Sequence, residues 1–542
     1  MTELPFAITL EVGSSHANHT GSWRVERPVY VDRLPPCNDA CPAGENIQKW
    51  LYDAESGDYE TAWRQLVADN PFPAVMGRIC YHPCESACNR AQVDEAVGIN
   101  AIERFLGDLA IERQWSLPSP GVDTGKKVLV VGAGPSGLSC AYQLRRLGHR
   151  VHLVDAGAQL GGMMRYGIPA YRLPRDVLDA EIKRIIAQGV DVELNHTVHD
   201  IEHERHAGGF DAVFLGVGAQ LARRVDIPSG DTARILDAVS FLHQVADEDP
   251  PLLGRRVAVY GGGDTALDAA RTARRLGASD AVIVYRRNRE QMPAHETELE
   301  EALKEGITIR WLSTINHYEN DHLVIEKMRL NEKGFPEPTG EFEDLGADSL
   351  VLALGQDTDL SLLDEASEIT IADGVVEVSP MMMAASNGIF AGGDAVPSER
   401  TATIAIGHAK RAARGIDAFL AGRDVADTPR AQLATFERLN TWYYADAERA
   451  HRPELEIARR QNTFEEIVGG LTEENALFEA RRCLSCGNCF ECDNCYGVCP
   501  DNAVIKLGPS LRYEFNYDFC KGCGICVSEC PCGAIDMVPE QI

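Results

Sequence analysis

The stretch KVLVVGAGPSGLSCAYQLRRLG, residues 127–148, reads as a strand, a glycine turn and a helix in immediate succession. An apolar run leads into the turn, and apolar positions at helical spacing follow it. Gly132, Gly134 and Gly137 stand at the G-x-G-x-x-G spacing of a dinucleotide site. In that pattern the first glycine makes the tight turn, the second lets a pyrophosphate approach the backbone, and the third lets helix pack on strand. The helix N-terminus then faces the phosphates. The next apolar run, HRVHLVDA, ends near Asp155, where an acid would hold a ribose hydroxyl. Strand, turn, helix and acid together predict a Rossmann-like α/β domain.

A second unit of the same pattern, RRVAVYGGGDTALDAARTARRLG, spans residues 255–277. Here Gly261, Gly263, Asp264 and Thr265 form the turn, and Ala266 takes the third glycine's place, a change the pattern allows. The following strand runs into YRRNREQMPA, so Arg286 and Arg287, with Arg289 nearby, stand where an NAD site would carry an acid. Guanidinium groups suit a 2′-phosphate, which favours NADP(H). NAD(H) stays open, because three arginines also make an ordinary solvated patch.

The far end of the chain is dense in cysteine. Of the 17 cysteines, the tail from 483 to 542 holds most, five lie before residue 118, and Cys140 stands alone on the first predicted nucleotide-site helix. The pattern C-x2-C-x2-C-x3-C-P occurs twice, as Cys489, Cys492, Cys495, Cys499-Pro500 and as Cys520, Cys523, Cys526, Cys530-Pro531. In such a pair each trio faces one cubane and the fourth cysteine ligates the other. The expectation is therefore crossed: Cys489, Cys492, Cys495 and Cys530 hold one [4Fe-4S] cluster, and Cys520, Cys523, Cys526 and Cys499 hold the second. Zinc also uses C-x2-C knuckles, but two full runs each ending in Cys-Pro favour iron–sulfur. Cys483, Cys486 and Cys532 are left over, unless the register slips and Cys486 enters the first trio.

Composition narrows the class further. The chain has 542 residues, 44% hydrophobic and 25% charged, which suits several folded domains. Its net charge of −30 repels phosphate backbones and anionic lipids, so neither nucleic acid nor a membrane is expected as partner. No run approaches the roughly 20 apolar residues of a membrane span. The start MTELPFAITLEVG carries no export signal, and clustered thiols suit a reducing compartment, so a cytoplasmic location is expected. Residues 1–118 read as a helical iron–sulfur domain, SLPSPGVDTG as a linker, 426–482 as a charged helical connector, and 483–542 as an α+β ferredoxin-like domain.

Further on, GIFAGGDAV, residues 388–396, looks like the second flavin motif of two-dinucleotide flavoproteins, in which Gly393 turns and Asp394 reaches the ribityl chain. Taken with LGGMMRYGIPAYRLPRDVLDAEI (160–182), the GGGDTALDAARTARRLGA and YRRNREQMPA blocks and the helix-prone TATIAIGHAKRAA, the sequence resembles the glutamate synthase small-subunit family. The flavin half of dihydropyrimidine dehydrogenase and the large subunits of NADH-dependent ferredoxin:NADP oxidoreductases share that module. The resemblance covers about 35 to 425. It implies tandem Rossmann-like domains, with FAD bound by 119–252 and 345–425 and a nicotinamide dinucleotide by the inserted 253–344. It also brings Gly162, Arg165 and Thr403 in as cofactor-binding positions, with Arg165 and Tyr166 as candidates for lining the isoalloxazine.

The family commonly carries N-terminal ligands for two clusters; here only Cys37, Cys41, Cys80, Cys84 and Cys88 are found. The match makes Cys41, Cys80 and Cys84 the core of one cluster, with Cys37, Cys88 or Glu103 as the fourth ligand, so one N-terminal [4Fe-4S] cluster is expected. The function implied is an electron-transfer flavoprotein subunit. It would exchange hydride between NAD(P)H and FAD and pass single electrons through clusters to or from a partner oxidoreductase, such as a 2-oxoacid:ferredoxin oxidoreductase, or a ferredoxin. The hydride step needs no acid–base side chain, so no catalytic residue is singled out. A glutamate synthase small subunit and an electron-bifurcating NADPH:ferredoxin oxidoreductase subunit are the alternatives, each within a hetero-oligomeric complex.

Overall fold

The computed structural model describes residues 19–223, 225–229, 234–319, 321–424, 430–509 and 511–540. The stretch MTELPFAITLEVG, and with it the expectation about an export signal, lies outside the described residues.

Six helices follow a short strand, β1 (Glu26–Tyr30): α1 (Pro36–Ala40), α2 (Ile47–Glu55), α3 (Tyr59–Val67), α4 (Pro73–Ile79), α5 (Pro83–Ser86) and α6 (Ile99–Glu112). Asn46 and Asp58 cap α2 and α3 by accepting from Lys49 N and Thr61 N. Each helix buries the stripe its spacing predicts: Ile47, Trp50, Leu51 and Ala54 on α2, and Tyr59, Ala62, Trp63 and Leu66 on α3. Proline at the first turn starts α1, α4 and α5. Helices α4 and α6 pack closely, since a Cβ at Gly107 would lie 2.2 Å from Ala74 N.

Two parallel sheets follow. The first has six strands and contains β2 (Lys127–Val131), β3 (Arg150–Asp155), β4 (Asp191–Leu194) and β5 (Ala212–Leu215), joined beside β5 by Ile389–Ala391 and then antiparallel Met383–Ala385. The second has five parallel strands in the order Thr308–Arg310, Asp280–Val284, Arg256–Tyr260, Ser349–Leu352 and Ile235–Asp237. An antiparallel three-stranded meander over 313–346 packs with it. This moves the inserted domain's edges outward from the expected 253 and 344. Ile235–Asp237 and Ser349–Leu352 pair into the second sheet, and Phe241, Leu242 and Val351 belong to its core. Neither edge carries a glycine turn to announce it.

The expected helical connector is mostly irregular. Over 430–482 its only helices beyond three residues are Ile457–Arg460 and Glu473–Ala480, among the described residues. Its backbone groups bond to distant side chains instead: Ala447 N to Asp94 and Arg449 N to Glu95, and Ala450 N to Glu479 of its own last helix. Helix-forming residues here give way to tertiary hydrogen bonds. The tail holds two four-residue helices, Asn494–Gly497 and Ile525–Ser528, and a hairpin of Val504–Lys506 with Tyr513–Phe515. Its last strand, Ile535–Pro539, pairs antiparallel with β1. Residues from Gly21 to Tyr30, expected in the N-terminal helical domain, therefore pack on the tail, where Gly21 N also donates to Asp518 O.

Candidate functional site: two nucleotide clefts and the thiol groups

The first glycine turn opens into a cleft of ≈ 350 Å³ walled by Gly132, Gly134, Ser136, Asp155, Gly393 and Asp394. Gly132 has φ +101°, a conformation that disfavours other residues. A Cβ at Gly137 would lie 1.7 Å from Gly132 O, so the helix that follows, α7 (Pro135–Arg146), sits hard on the turn. Gly134 is the open position: an added Cβ would meet only Gly162 Cα at 3.9 Å. The Ser136 hydroxyl is buried there with no hydrogen-bond partner. A bare glycine, an orphaned hydroxyl and a helix N-terminus fit the pyrophosphate of FAD. Asp155 walls the cleft while its oxygens accept from Ala133 N (2.6 Å) and Gly157 N (2.7 Å). Burial pushes the Asp394 carboxyl up, against the opposing pull of Arg400.

Three expected cofactor neighbours are placed otherwise. Arg165 Nε donates to Leu160 O at 2.6 Å and its Nη2 pairs with Asp179, so it braces its own loop; Tyr166 rests on His243. Met163 and Met164 of the same block wall the cleft instead. Thr403 faces the other way, with its hydroxyl against Met76 Sδ at 3.6 Å and beside Cys80. Its neighbours Ala402 and Ala405 are the cleft residues. The local pattern marked the right segments but could not tell which side each residue presents.

The second turn opens into a neighbouring cleft of ≈ 510 Å³. A Cβ at Gly261 would lie 2.1 Å from Ala353 O and one at Gly262 2.3 Å from the Tyr285 ring, whereas Gly263 has nothing within 4 Å. Arg286 and Arg287 both wall this cleft, and Arg287 Nε is buried without a partner. Arg289 is committed elsewhere, paired with Glu296 and Glu300. Asp264 holds His295, accepting from its N at 3.0 Å and meeting its Nδ1 at 2.9 Å. Thr265, Gly355 and Gln356 wall both clefts, so the two adjoin.

Ile79 and Tyr81, at the end of α4, wall the first cleft from the N-terminal side. Cys80, between them, turns into a small cavity with Cys41, Cys84 and Glu103. Two junctions hold this edge in place. Glu181 of the flavin-side helix Arg175–Ile186 accepts from Ala74 N and Val75 N at the start of α4, and Tyr81 stacks on His295 with ring centres 3.2 Å apart. Asn70 donates to both Glu45 and Glu103 at 2.9 Å; burial pushes both carboxyls up, Glu45 to about 7.

Cys37 and Cys88 do not join this group. They stand with Cys483 and Cys486, each thiol within electrostatic reach of the others. The ends of the two helices explain the split. Cys37 lies in the first turn of α1 and Cys41 at its C-cap, Cys84 lies in α5 and Cys88 just beyond it, and the two helices pack together. A continuous helix would put thiols four residues apart on one face, but Cys41 and Cys88 have already left the helix for extended backbone, so each segment can divide its two thiols. In the tail, Cys489, Cys492 and Cys495 gather with Cys530, while Cys499, Cys520, Cys523 and Cys526 wall a second cavity. Cys532 lies 3.7 Å from Cys530, and its hydrogen bond pulls Cys530 down towards the thiolate.

Each group has an N–H aimed at sulfur: His82 N to Cys80 (3.3 Å), Ser485 N to Cys483 (3.4 Å), Ala534 N to Cys530 (3.4 Å) and Ala503 N to Cys499 (3.2 Å). Such donors suit the anionic sulfurs of an iron–sulfur cluster. Among the described residues no three His, Cys, Asp or Glu side chains are arranged to hold a single metal ion. Cys140 is fully buried in α7, apart from every group.

Fold and site together define a two-dinucleotide flavoprotein carrying iron–sulfur domains at both ends. The pyridine nucleotide-disulphide oxidoreductase family matches residues 126–409, just over half of the chain, and the chain belongs to that family. The 4Fe-4S cluster domain of dihydropyrimidine dehydrogenase (its domain II) matches 26–115, and the 4Fe-4S binding domain matches 513–536. The NADP(+)-dependent formate dehydrogenase subunit beta of Moorella thermoacetica is 35% identical over 503 residues, covering 83% of this chain and 70% of that one. The NADPH-Fe(3+) oxidoreductase subunit beta of Geobacter sulfurreducens (strain DL-1 / KN400) is 31% identical over 520 residues, 85% of this chain and 77% of its own. The glutamate synthase [NADPH] small chain of Escherichia coli (strain K12) is 32% identical over 414 residues, 70% and 88% respectively. The chain is thus an NAD(P)H-dependent FAD and iron–sulfur oxidoreductase. No helix among the described residues is long and apolar enough to cross a membrane.

Proposed function

We propose that this chain is the NADPH-linked electron-transfer subunit of a larger cytoplasmic oxidoreductase. A bound flavin supplies the exchange between hydride and single-electron chemistry, and [4Fe-4S] clusters supply one-electron carriage. The residues do the rest. Gly132, Gly134, Ser136 and Asp394 hold FAD; Gly261, Gly263 and Thr265 hold the dinucleotide, with Arg286 and Arg287 on its 2′-phosphate. Thr265, Gly355 and Gln356 bring the nicotinamide end towards the flavin cleft, and Tyr81 shields that cleft from water on the N-terminal side. Cys41, Cys80, Cys84 and Glu103 hold the first cluster, and the two tail groups hold one each.

The observation that carries this reading is the run Ile79-Cys80-Tyr81, whose outer members wall the flavin cleft while the middle one walls a thiol pocket. Electrons would leave or enter at the tail, where Cys492 and Cys523 are exposed and the same domain exposes Ile505, Leu507 and Ile525. A partner oxidoreductase docks there, as the subunit names of the relatives suggest. The test is anaerobic purification of the full chain, with flavin and iron counts and NADPH-driven reduction of a one-electron acceptor. A colourless chain, or one holding zinc in place of iron, contradicts it. The glutamate synthase relative favours a second reading, which would need NADPH oxidation to depend on glutamine and 2-oxoglutarate.

A further inference from the structure

We propose that Cys37 and Cys88 of the N-terminal domain and Cys483 and Cys486 of the tail together hold one further [4Fe-4S] cluster, fastening the tail to the core through iron. The inference rests on the reading that the other thiol groups hold clusters. It does not require a particular partner or direction of electron flow.

Four observations carry it. First, apart from Cys140 and Cys532, the candidate ligands fall into sets of four. With Glu103, the group at Cys80 uses three of the five N-terminal cysteines, and Cys37 and Cys88 remain outside that pocket. Cys483-Leu-Ser-Cys486 offers the C-x2-C spacing that presents two thiolates to one centre. Second, all four are free thiols, partly buried and not paired as disulfides, and Cys37, Cys88 and Cys483 pack against the same hydrophobic core.

Third, the tail segment is held there by contacts that do not depend on metal. Arg33 N donates to Gly487 O at 3.1 Å, and a Cβ at Gly487 would lie 2.5 Å from that of Arg33. Arg482, buried, donates to Glu95 O (2.7 Å), Asp94 (3.0 Å) and Glu479 (2.5 Å). Fourth, the sulfurs have donors of their own: Asn89 Nδ2 reaches Cys486 Sγ at 3.5 Å and Ser485 N reaches Cys483 Sγ at 3.4 Å.

A cubane suits the site better than zinc. No three of these side chains converge as a single ion needs, and the group joins the segments that carry Cys41 and Cys84 to the tail. Tyr444, bonded to Leu484 O at 3.1 Å, stands beside Cys483 and Cys486 on one hand and Cys492 and Cys532 on the other. A redox-inert ion would interrupt the route there.

The test counts metal in the full chain, purified anaerobically and reconstituted with iron and sulfide. The unaltered chain should carry iron and acid-labile sulfide for four cubanes, about 16 of each per flavin. Cys483→Ser with Cys486→Ser should lose about four irons while flavin content holds, and Cys37→Ser with Cys88→Ser should lose the same about four. The quadruple variant should lose no more than either pair, and Cys140→Ala should lose none. About 12 irons in the unaltered chain, one zinc per chain, or a quadruple variant that loses about eight would overturn the shared cluster. Those results leave the other clusters standing, whereas an unaltered chain that binds no iron sinks both.

Discussion

The tail's two thiol groups and the two beside α1 and α5 are built in opposite ways. Each tail group draws on a compact repeat, and its eight thiols fall within residues 489–530. The two inner groups draw on segments around residues 37–41, 80–88 and 103, and on 483–486 of the tail. A compact repeat can order its own loops. A dispersed set is assembled only after helices, linker and tail have docked. The difference suggests a division of labour: the outer pair is a self-contained terminal for electrons, and the inner pair ties that terminal to the flavin.

The contrast can be broken at the contact that holds the dispersed set. Arg482→Ala would leave the buried Glu479 without its cation, while Asp94 keeps Arg90. A loss of about 3–5 kcal/mol in denaturant unfolding is expected, with earlier proteolytic release of the tail. An unchanged transition would mean that the tail docks without this arginine. Acid should weaken the same junction. The Arg90 guanidinium holds the Asp94 carboxyl well below its usual range, so Asp94 contributes stability above about pH 4, and that contribution fades as pH falls further. Tail release followed by proteolysis across that range checks the sign.

The nucleotide clefts allow a smaller, local break. Arg286→Ala with Arg287→Ala should raise the KM for NADPH by roughly 10- to 100-fold and leave NADH nearly unaffected, because a charged hydrogen bond contributes about 1.5–3 kcal/mol. Equal losses for both cofactors would remove the 2′-phosphate role. The smallest effect is expected within the outer pair. Tyr30→Phe deletes a hydroxyl 3.2 Å from Cys495 Sγ, and the potential of that cluster should fall by the equivalent of about 1 kcal/mol or less. A potential that rises instead would mean that the hydroxyl does not donate to sulfur.

The same contrast explains what could be read from the sequence. Gly132, Gly134 and Gly137 announce a fold because turn, strand and helix are neighbours in the chain, and the family match agrees with that α/β reading. Local pattern also points to iron–sulfur domains at both ends, where the family matches fall. It fails where geometry depends on distant partners. Cys483 and Cys486 look surplus until Cys37 and Cys88 are found beside them and outside the Cys80 pocket. The clue was present, since a C-x2-C pair without a home faced an N-terminal set short of ligands. Arg165 and Thr403 lie in the right segments but face the wrong way, which depends on Asp179 and Met76 rather than on their own neighbours. The irregular connector was hidden for the same reason. Its residues favour helix, but distant carboxylates such as Asp94 and Glu95 take its N–H groups.

The central claim is that Cys80 stands at the junction between flavin and clusters, and rapid anaerobic mixing of NADPH with the full-length Cys80→Ser variant tests it most directly. Flavin bleaching should proceed as in the unaltered chain, while the paramagnetic signals of the tail clusters, their iron intact, fail to appear. Tail signals rising as fast as in the unaltered chain would show that electrons reach the tail by another path.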